Sequence, residues 1–332
     1  MNVGVIGTGY WGPNIIRNFL SNCNIKKVYA SDLDINRLQK IKLRFPEIEI
    51  IKDSLDLIRL NDIDIVAIST PVESHYVLSK SALEAGKHIW VEKPFMSDSK
   101  EAEEIIELST RKNLKVFVDH TFIYTGSVIK MKEIIESGDL GNIYYFDSVR
   151  INLGLFQSDV NVIWDLAPHD LSIMKYVLPQ KVVAVSANGI ANYYKQENIA
   201  HISVYFENNC FAHFHVNWTS PVKIRKMIAG GDKKMLVFDD MENFEKIKIY
   251  DSGINMNNKQ NIYDALVQYR IGDMYSPKVN QTEALSLGVS EFIKSIQDNR
   301  DPLTNAFDGL EVVRILEAAN KSIKNRGKLI TL

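Results

Sequence analysis

The sequence predicts an α/β amino-terminal domain with a doubly wound parallel sheet, residues 1–121, followed by an α+β domain, residues 122–332, with a largely antiparallel open sheet. Three observations carry this prediction. Up to residue 121 short β-rich runs alternate with amphipathic stretches, and runs such as Ile65-Val66-Ala67-Ile68 are apolar on both faces, as strands covered by helices on both sides must be. Beyond that point period-two alternation takes over, with turn residues between neighbouring runs. At 332 residues the chain is also more than twice the roughly 150-residue prior for one domain.

In the first part, residues 3–6, 27–31, 48–51, 65–70, 88–91 and 116–119 read as strands. Residues 12–20, 35–44, 54–60, 75–85 and 99–112 between them read as helices. The second part opens with a helix at about 127–136, ended by Ser137-Gly138. Strands are expected at 143–152, 182–189, 201–207, 210–217, 226–230, 234–239 and 246–250, with a helix at 168–176 among them. Glu207-Asn208-Asn209 and Gly230-Gly231-Asp232 are hairpin turns. Residues 251–280 are polar and read as a long irregular excursion; helices at 282–298 and 307–325 close the chain, the last stopped by Gly327.

Lys and Arg number 39 against 41 Asp and Glu, a net charge of −2, which argues against a nucleic-acid or anionic-membrane face. Two cysteines, Cys23 and Cys210, support neither a disulfide framework nor a thiolate zinc site, so a reduced, cytoplasmic protein is expected. The apolar run Val3-Gly4-Val5-Ile6 leaves no room for a secretory leader ahead of it, and apolar stretches fall far short of the ~18 residues of a membrane span, so a soluble protein is expected.

Gly7-Thr8-Gly9-Tyr10-Trp11-Gly12 fits G-x-G-x-x-G between a strand and a helix. There the first glycine permits the tight turn, the second lets the backbone approach a pyrophosphate, and the third lets helix pack on strand, with helix-terminal N–H groups facing the anion. Asp32 follows Gly12 by 20 residues, the spacing of the carboxylate that accepts from the adenosine ribose hydroxyls. That carboxylate repels a 2′-phosphate, and no Arg follows immediately, so NAD is favoured over NADP; Asp32 or Asp34 could alternatively cap the next helix. Glu92-Lys93-Pro94 ends the fifth strand, and ligands of open α/β sheets bind beyond the carboxyl ends of strands.

Gly7–Gly12, Asp32, Thr70-Pro71-Val72-Glu73-Ser74-His75, Glu92-Lys93-Pro94 and Asp165-Leu166-Ala167-Pro168-His169-Asp170 together resemble the Gfo/Idh/MocA family of sugar and cyclitol oxidoreductases. The resemblance implies a Rossmann domain whose cofactor residues include Thr70, Pro71, His75, Glu92 and Lys93, and dimers or tetramers formed through the carboxyl-terminal sheet. It also implies that Lys93, Asp165 and His169 converge on the reacting carbinol, in a crevice between cofactor and substrate domains.

Asp165 and His169 are four residues apart and share a helix face, with Pro168 suited to a first turn. Imidazole titrates near neutrality and suits general-base duty while hydride leaves for nicotinamide; Lys93 would stabilise the developing alkoxide and Asp165 orient the imidazole or the sugar. Which of Lys93 and His169 is the immediate base stays open. His120, Tyr124, Arg150, Asn152 and Trp164 are candidates for substrate contact, Trp164 by stacking on a base and Arg150 by pairing with a diphosphate.

The runs 150–154, 162–165, 269–273 and 283–285 resemble members of nucleotide-sugar and surface-polysaccharide pathways, which implies a nucleotide-linked sugar as substrate. A glycosidase that holds NAD tightly and a non-catalytic dinucleotide sensor are the alternative functions. His213 and His215 share a strand face, but no third ligand stands at metal spacing, and no metal is expected. Val204, Phe206 and Phe211 are expected on a sheet face that packs against a second subunit.

Overall fold

The computed structural model describes residues 1–154, 156, 160–193, 195–256 and 267–332. The first part runs β1 (Asn2–Ile6), α1 (Gly12–Leu20), β2 (Lys27–Ser31), α2 (Ile35–Arg44), β3 (Glu49–Ile50), α3 (Ser54–Arg59), β4 (Ile65–Ile68), α4 (His75–Glu84), β5 (His88–Glu92), α5 (Ser99–Lys112) and β6 (Val116–Asp119). Next come α6 (Gly126–Glu136), β7 (Ile143–Leu153), α7 (Val162–Val177), β8 (Val182–Ile190), β9 (Ile199–Phe206), β10 (Phe211–Asn217), β11 (Thr219–Gly231), β12 (Met235–Asp239) and β13 (Ile247–Tyr250). The chain ends with β14 (Gly253–Met256), β15 (Val267–Arg270), β16 (Met274–Tyr275), α8 (Ala284–Gln297), α9 (Ala306–Lys324) and β17 (Ile330–Thr331).

Two compact units result: Met1–Tyr124 with Thr282–Arg314, and Thr125–Gln281 with Ile315–Leu332. The sequence reading gave everything after residue 121 to the second domain and did not anticipate the return of Thr282–Arg314 to the first unit. Side chains explain it. Arg17 and Asn18 of α1 bind the Glu283 carboxylate, with Arg17 Nη1 at 2.9 Å, and Phe292 of α8 packs on Trp90 and Phe117 of β5 and β6, which stack with centroids 4.0 Å apart. The Tyr124 hydroxyl meets Thr304 Oγ1 at 3.1 Å. An amphipathic period reveals that a helix has an apolar face, but not which sheet that face covers.

The first unit's sheet has the order β3-β2-β1-β4-β5-β6, all parallel, so the order reverses at β1 and β4, where open sheets of this kind take their ligands. The second unit has a nine-stranded sheet, β16-β13-β12-β11-β7-β10-β9-β8-β17, antiparallel except for β7 against β10. Helices α6 and α7 cover one face of it. Val204 and Phe206, expected on the opposite, subunit-packing face, are buried and alternate with Tyr205. Phe211 faces Tyr205 across the strand pair on the outer side. The period-two reading had grouped residues of both faces. Part of the excursion expected at 251–280 forms β14, β15 and β16; residues 257–266 of it lie outside the described residues.

Helix α7 begins six residues before the expected start. The Asn161 side chain caps it by accepting from Trp164 N at 3.2 Å, so Pro168 lies in the helix interior and not in its first turn. Proline there removes one intrahelical donor, and burial of eleven of the sixteen helix residues holds the helix regardless. Among the described residues no helix is long and apolar enough to cross a membrane.

Candidate active site

The glycine turn between β1 and α1 closes only with glycine at two positions. Gly7 has φ +93°, and a Cβ there would stand 2.3 Å from the Ser69 carbonyl oxygen. A Cβ at Gly12 would stand 2.2 Å from the Gly7 carbonyl oxygen. At Gly9, in contrast, an added Cβ meets nothing nearer than Arg37 Nη1 at 3.5 Å, leaving the side of the turn that a pyrophosphate must approach open. Tyr10 projects into solvent.

Asp32 directly follows β2 and lies against this turn. Its Oδ2 accepts from the Thr8 backbone N at 2.7 Å and the Thr8 hydroxyl at 2.8 Å, and its Oδ1 accepts from Asp34 N at 2.9 Å. Burial pushes the Asp32 carboxyl up, but these hydrogen bonds and the nearby Arg37 outweigh it and hold the group below the usual carboxylate range. Asp34 caps α2 through Asn36 N, so Asp32 braces the turn and is not that helix's cap. The turn and the acid together fit a dinucleotide. Arg37, which sequence reading passed over, stands beside both.

Asp32→Ala is expected to raise the ratio of kcat/KM for NADPH over NADH by at least about tenfold, because it removes the fixed negative charge that repels a 2′-phosphate and leaves Arg37 close by. Steady-state kinetics with both cofactors checks this, and an unchanged ratio would reduce Asp32 to a turn brace.

At the same sheet edge, Trp11 Nε1 of the glycine turn reaches Asp119 Oδ2 at 3.3 Å, and Asp119 ends β6 opposite Glu92, its register partner and the last residue of β5. Lys93 follows directly, joined to Pro94 by a cis peptide. Thus Trp11, Asp119 and Glu92 link the glycine turn to Lys93. His75 braces the neighbouring turn from within. It is 1% exposed, with Nδ1 against the carbonyls of Pro94 and Phe95 at 3.0 and 3.3 Å and Nε2 against that of Thr70 at 2.9 Å. It therefore acts as a structural tie and not as the cofactor contact expected of it. Thr70 Oγ1 pairs with Ser74 Oγ at 2.6 Å, and Pro71 beside it is exposed.

Two expected substrate contacts of the first unit are buried. Tyr124 stacks on Phe117 and bonds Thr304, which makes it a core residue. His120 is 1% exposed, with neither ring nitrogen hydrogen-bonded among the described residues; burial and the neighbouring Lys93 push its imidazole down to about 3, so it is neutral.

In the second unit, Asp165 and His169 lie one turn apart on α7. Asp165 Oδ2 accepts from Trp218 Nε1 at 2.9 Å. Trp218 carries no sequence signal marking it as a site residue, yet it fixes the carboxylate. It also lines a cavity of about 380 Å³ with Leu153, Gly154, Phe156, Tyr193 and Thr219. Asn152 reaches the same place, its Nδ2 3.4 Å from where a Gly154 Cβ would stand. Trp164 is nearly buried, and its indole nitrogen has no hydrogen-bond partner among the described residues. Arg150, expected to pair with a diphosphate, is instead committed to Asp170, with Nε and Nη2 at 2.7 and 2.6 Å from Oδ1. His213 and His215 stack with His201 on the outer sheet face.

Two models of one family match this chain. The model described as "Oxidoreductase family, NAD-binding Rossmann fold" covers residues 1–120, and the "GFO/IDH/MocA C-terminal domain" covers residues 128–237; together they take in more than two thirds of the sequence. A 1-carboxy-3-chloro-3,4-dihydroxycyclo hexa-1,5-diene dehydrogenase from Comamonas testosteroni is 28% identical over 56% of this chain and 50% of its own. A UDP-N-acetylglucosamine 3-dehydrogenase from Acidithiobacillus ferrooxidans is 26% identical over 58% of each. The chain thus spans about half the length of these curated relatives. The solved structure of a levoglucosan dehydrogenase in complex with NADH and levoglucosan superposes with a TM-score of 0.85 at 17% identity, covering 100% of this chain and 99% of that one, a likeness of fold. With a glycine turn and acid that fit a dinucleotide and both domain models matched in order, the chain belongs to the Gfo/Idh/MocA family of NAD-binding oxidoreductases.

Proposed function

We propose that this protein transfers hydride between NAD(H) and a secondary hydroxyl, or the matching ketone, of a nucleotide-linked sugar. The observation that carries the reading is the link from glycine turn to lysine, through Trp11, Asp119 and Glu92, which sets Lys93 at the ligand-binding edge of the sheet. The named activity of the UDP-N-acetylglucosamine relative supports the choice of sugar.

When bound, the nicotinamide accepts or returns the hydride. The remaining work falls to side chains. The His169 imidazole takes the hydroxyl proton as the carbon–hydrogen bond is broken, the Lys93 ammonium stabilises the alkoxide that forms, and Asp165, held by Trp218, fixes the orientation of substrate and imidazole. Gly9 and the first turn of α1 receive the pyrophosphate, and Asp32 receives the adenosine ribose.

Calorimetry with NADH, followed by NAD⁺-dependent oxidation assays over UDP-hexoses, free hexoses and inositols, tests the reading in two stages. Micromolar NADH binding and turnover confined to nucleotide-linked sugars are expected. Absence of nicotinamide binding would sink the oxidoreductase assignment. Turnover of free sugars or polyols alone would sink only the substrate.

A further inference from the structure

The carboxyl ends of β5 and β6 hold two acids that face each other. Glu92 and Asp119 are register partners in the parallel sheet, which sets their side chains next to each other on one face, and Glu92 Oε1 is buried with no hydrogen-bond partner among the described residues. Two adjacent buried carboxyl groups can hydrogen-bond to each other only if one of them carries a proton, because an ionised carboxylate has no donor. Asp119 is 2% exposed and already accepts from Thr121 Oγ1 at 2.6 Å on Oδ1 and from Trp11 Nε1 on Oδ2. Burial pushes the Asp119 carboxyl up as well, but donors on both of its oxygens favour its charged form, which makes Asp119 the ionised member and Glu92 the protonated one.

The surroundings agree. Burial, then the charge of Asp119, push the Glu92 carboxyl well above its ordinary range. The titratable groups around the pair are Lys93 after β5, His120 and Tyr124 after β6, and His75 at the start of α4. His120 is neutral, and burial drives Tyr124 up and His75 down, toward their neutral forms. Lys93 is the cation that both carboxyls feel. Two ionised carboxylates there would repel each other and leave a net negative charge beside Lys93; a single shared proton leaves that corner neutral.

We propose that Glu92 and Asp119 share one proton, so that a single negative charge faces Lys93, and that Asp119 is thereby a positioning residue for the lysine. The charge claim concerns the protein without ligands, and only its consequence for turnover rests on the proposed function.

Thermal unfolding of the ligand-free protein against pH tests the first part. The unfolded chain gives up the Glu92 proton around its ordinary 4.5 while the folded chain keeps it, so the folded state binds more protons and stability falls as pH climbs through that interval. Glu92→Gln cannot titrate and is expected to flatten this slope; a Tm-against-pH curve parallel to that of the unaltered protein overturns the proposal. If the variant fails to fold, infrared spectroscopy of the unaltered protein at pH 7 decides the matter by the presence or absence of a protonated-carboxyl band.

Turnover tests the second part. Glu92→Gln leaves the Asp119 charge facing Lys93 while Asp119→Asn removes it, so the loss in kcat is expected to be about tenfold larger for Asp119→Asn than for Glu92→Gln. Equal losses in the two variants, with the flattened Tm slope of Glu92→Gln intact, would keep the shared proton and overturn the positioning role.

Discussion

Lys93→Met is expected to lower kcat by about a thousandfold while NADH affinity, read by fluorescence titration, stays within a few-fold of the parent. Methionine preserves the length and much of the bulk of the side chain but carries neither charge nor proton, so the loss isolates the ammonium. A cation that meets developing alkoxide charge acts in the transition state and not on the neutral hydroxyl, and its removal must therefore appear in kcat more than in KM. The NADH measurement separates this from disruption of the cofactor site, because the glycine turn and Asp32 are held by contacts in which Lys93 takes no part. A fall of less than tenfold in kcat would remove Lys93 from the chemistry and return it to the ordinary role of a loop lysine. Loss of NADH binding in step with kcat would make it a cofactor residue instead.

The parts of this molecule that the sequence foretold are those set by local pattern. Apolar runs of four or five residues between helical periods dictate β1, β2, β4, β5 and β6, and the fixed spacing from Gly12 to Asp32 requires only one strand, one helix and one turn in between. What escaped were contacts between residues distant along the chain. Trp218 reaches Asp165 across 53 residues, Tyr124 reaches Thr304 across 180, and Glu283 meets Arg17 across 266. Each is a choice among many polar or aromatic groups of suitable chemistry, and nothing in their neighbours' sequence marks the partner. Arg37 was missed for a different reason. It sits in the first turn of α2, where a charged residue is ordinary, and only the closeness of α2 to the glycine turn makes it a neighbour of Gly9 and Asp32. The true start of α7 was legible in principle, since Asn161 is a good cap three residues ahead of Trp164, but Pro168 offered a more conspicuous and mistaken beginning.

Asp170→Ala is expected to destabilise the protein by about 3–5 kcal/mol and to lower Tm by roughly 10 °C, a large effect for a residue outside the proposed chemistry. Arg150 and Asp170 are 4% and 1% exposed and joined through Oδ1, while the Ser148 hydroxyl donates to Oδ2 at 2.8 Å. Removing the aspartate takes away the buried carboxylate that accepts from Arg150 Nε and Nη2, and the loss of that compensation for a guanidinium deep in the core accounts for most of the cost. The pair itself need contribute little, since bringing both charges out of water costs about as much as their attraction returns. The contrast is measurable. A variant that replaces all three groups by apolar ones, Arg150→Met with Asp170→Leu and Ser148→Ala, is expected to recover most of the lost Tm, which scanning calorimetry of the two proteins decides. Equal losses in both would mean that the ion pair contributes net stability where it stands, between β7 and the face of α7 that also carries Leu171 and Met174 into the core.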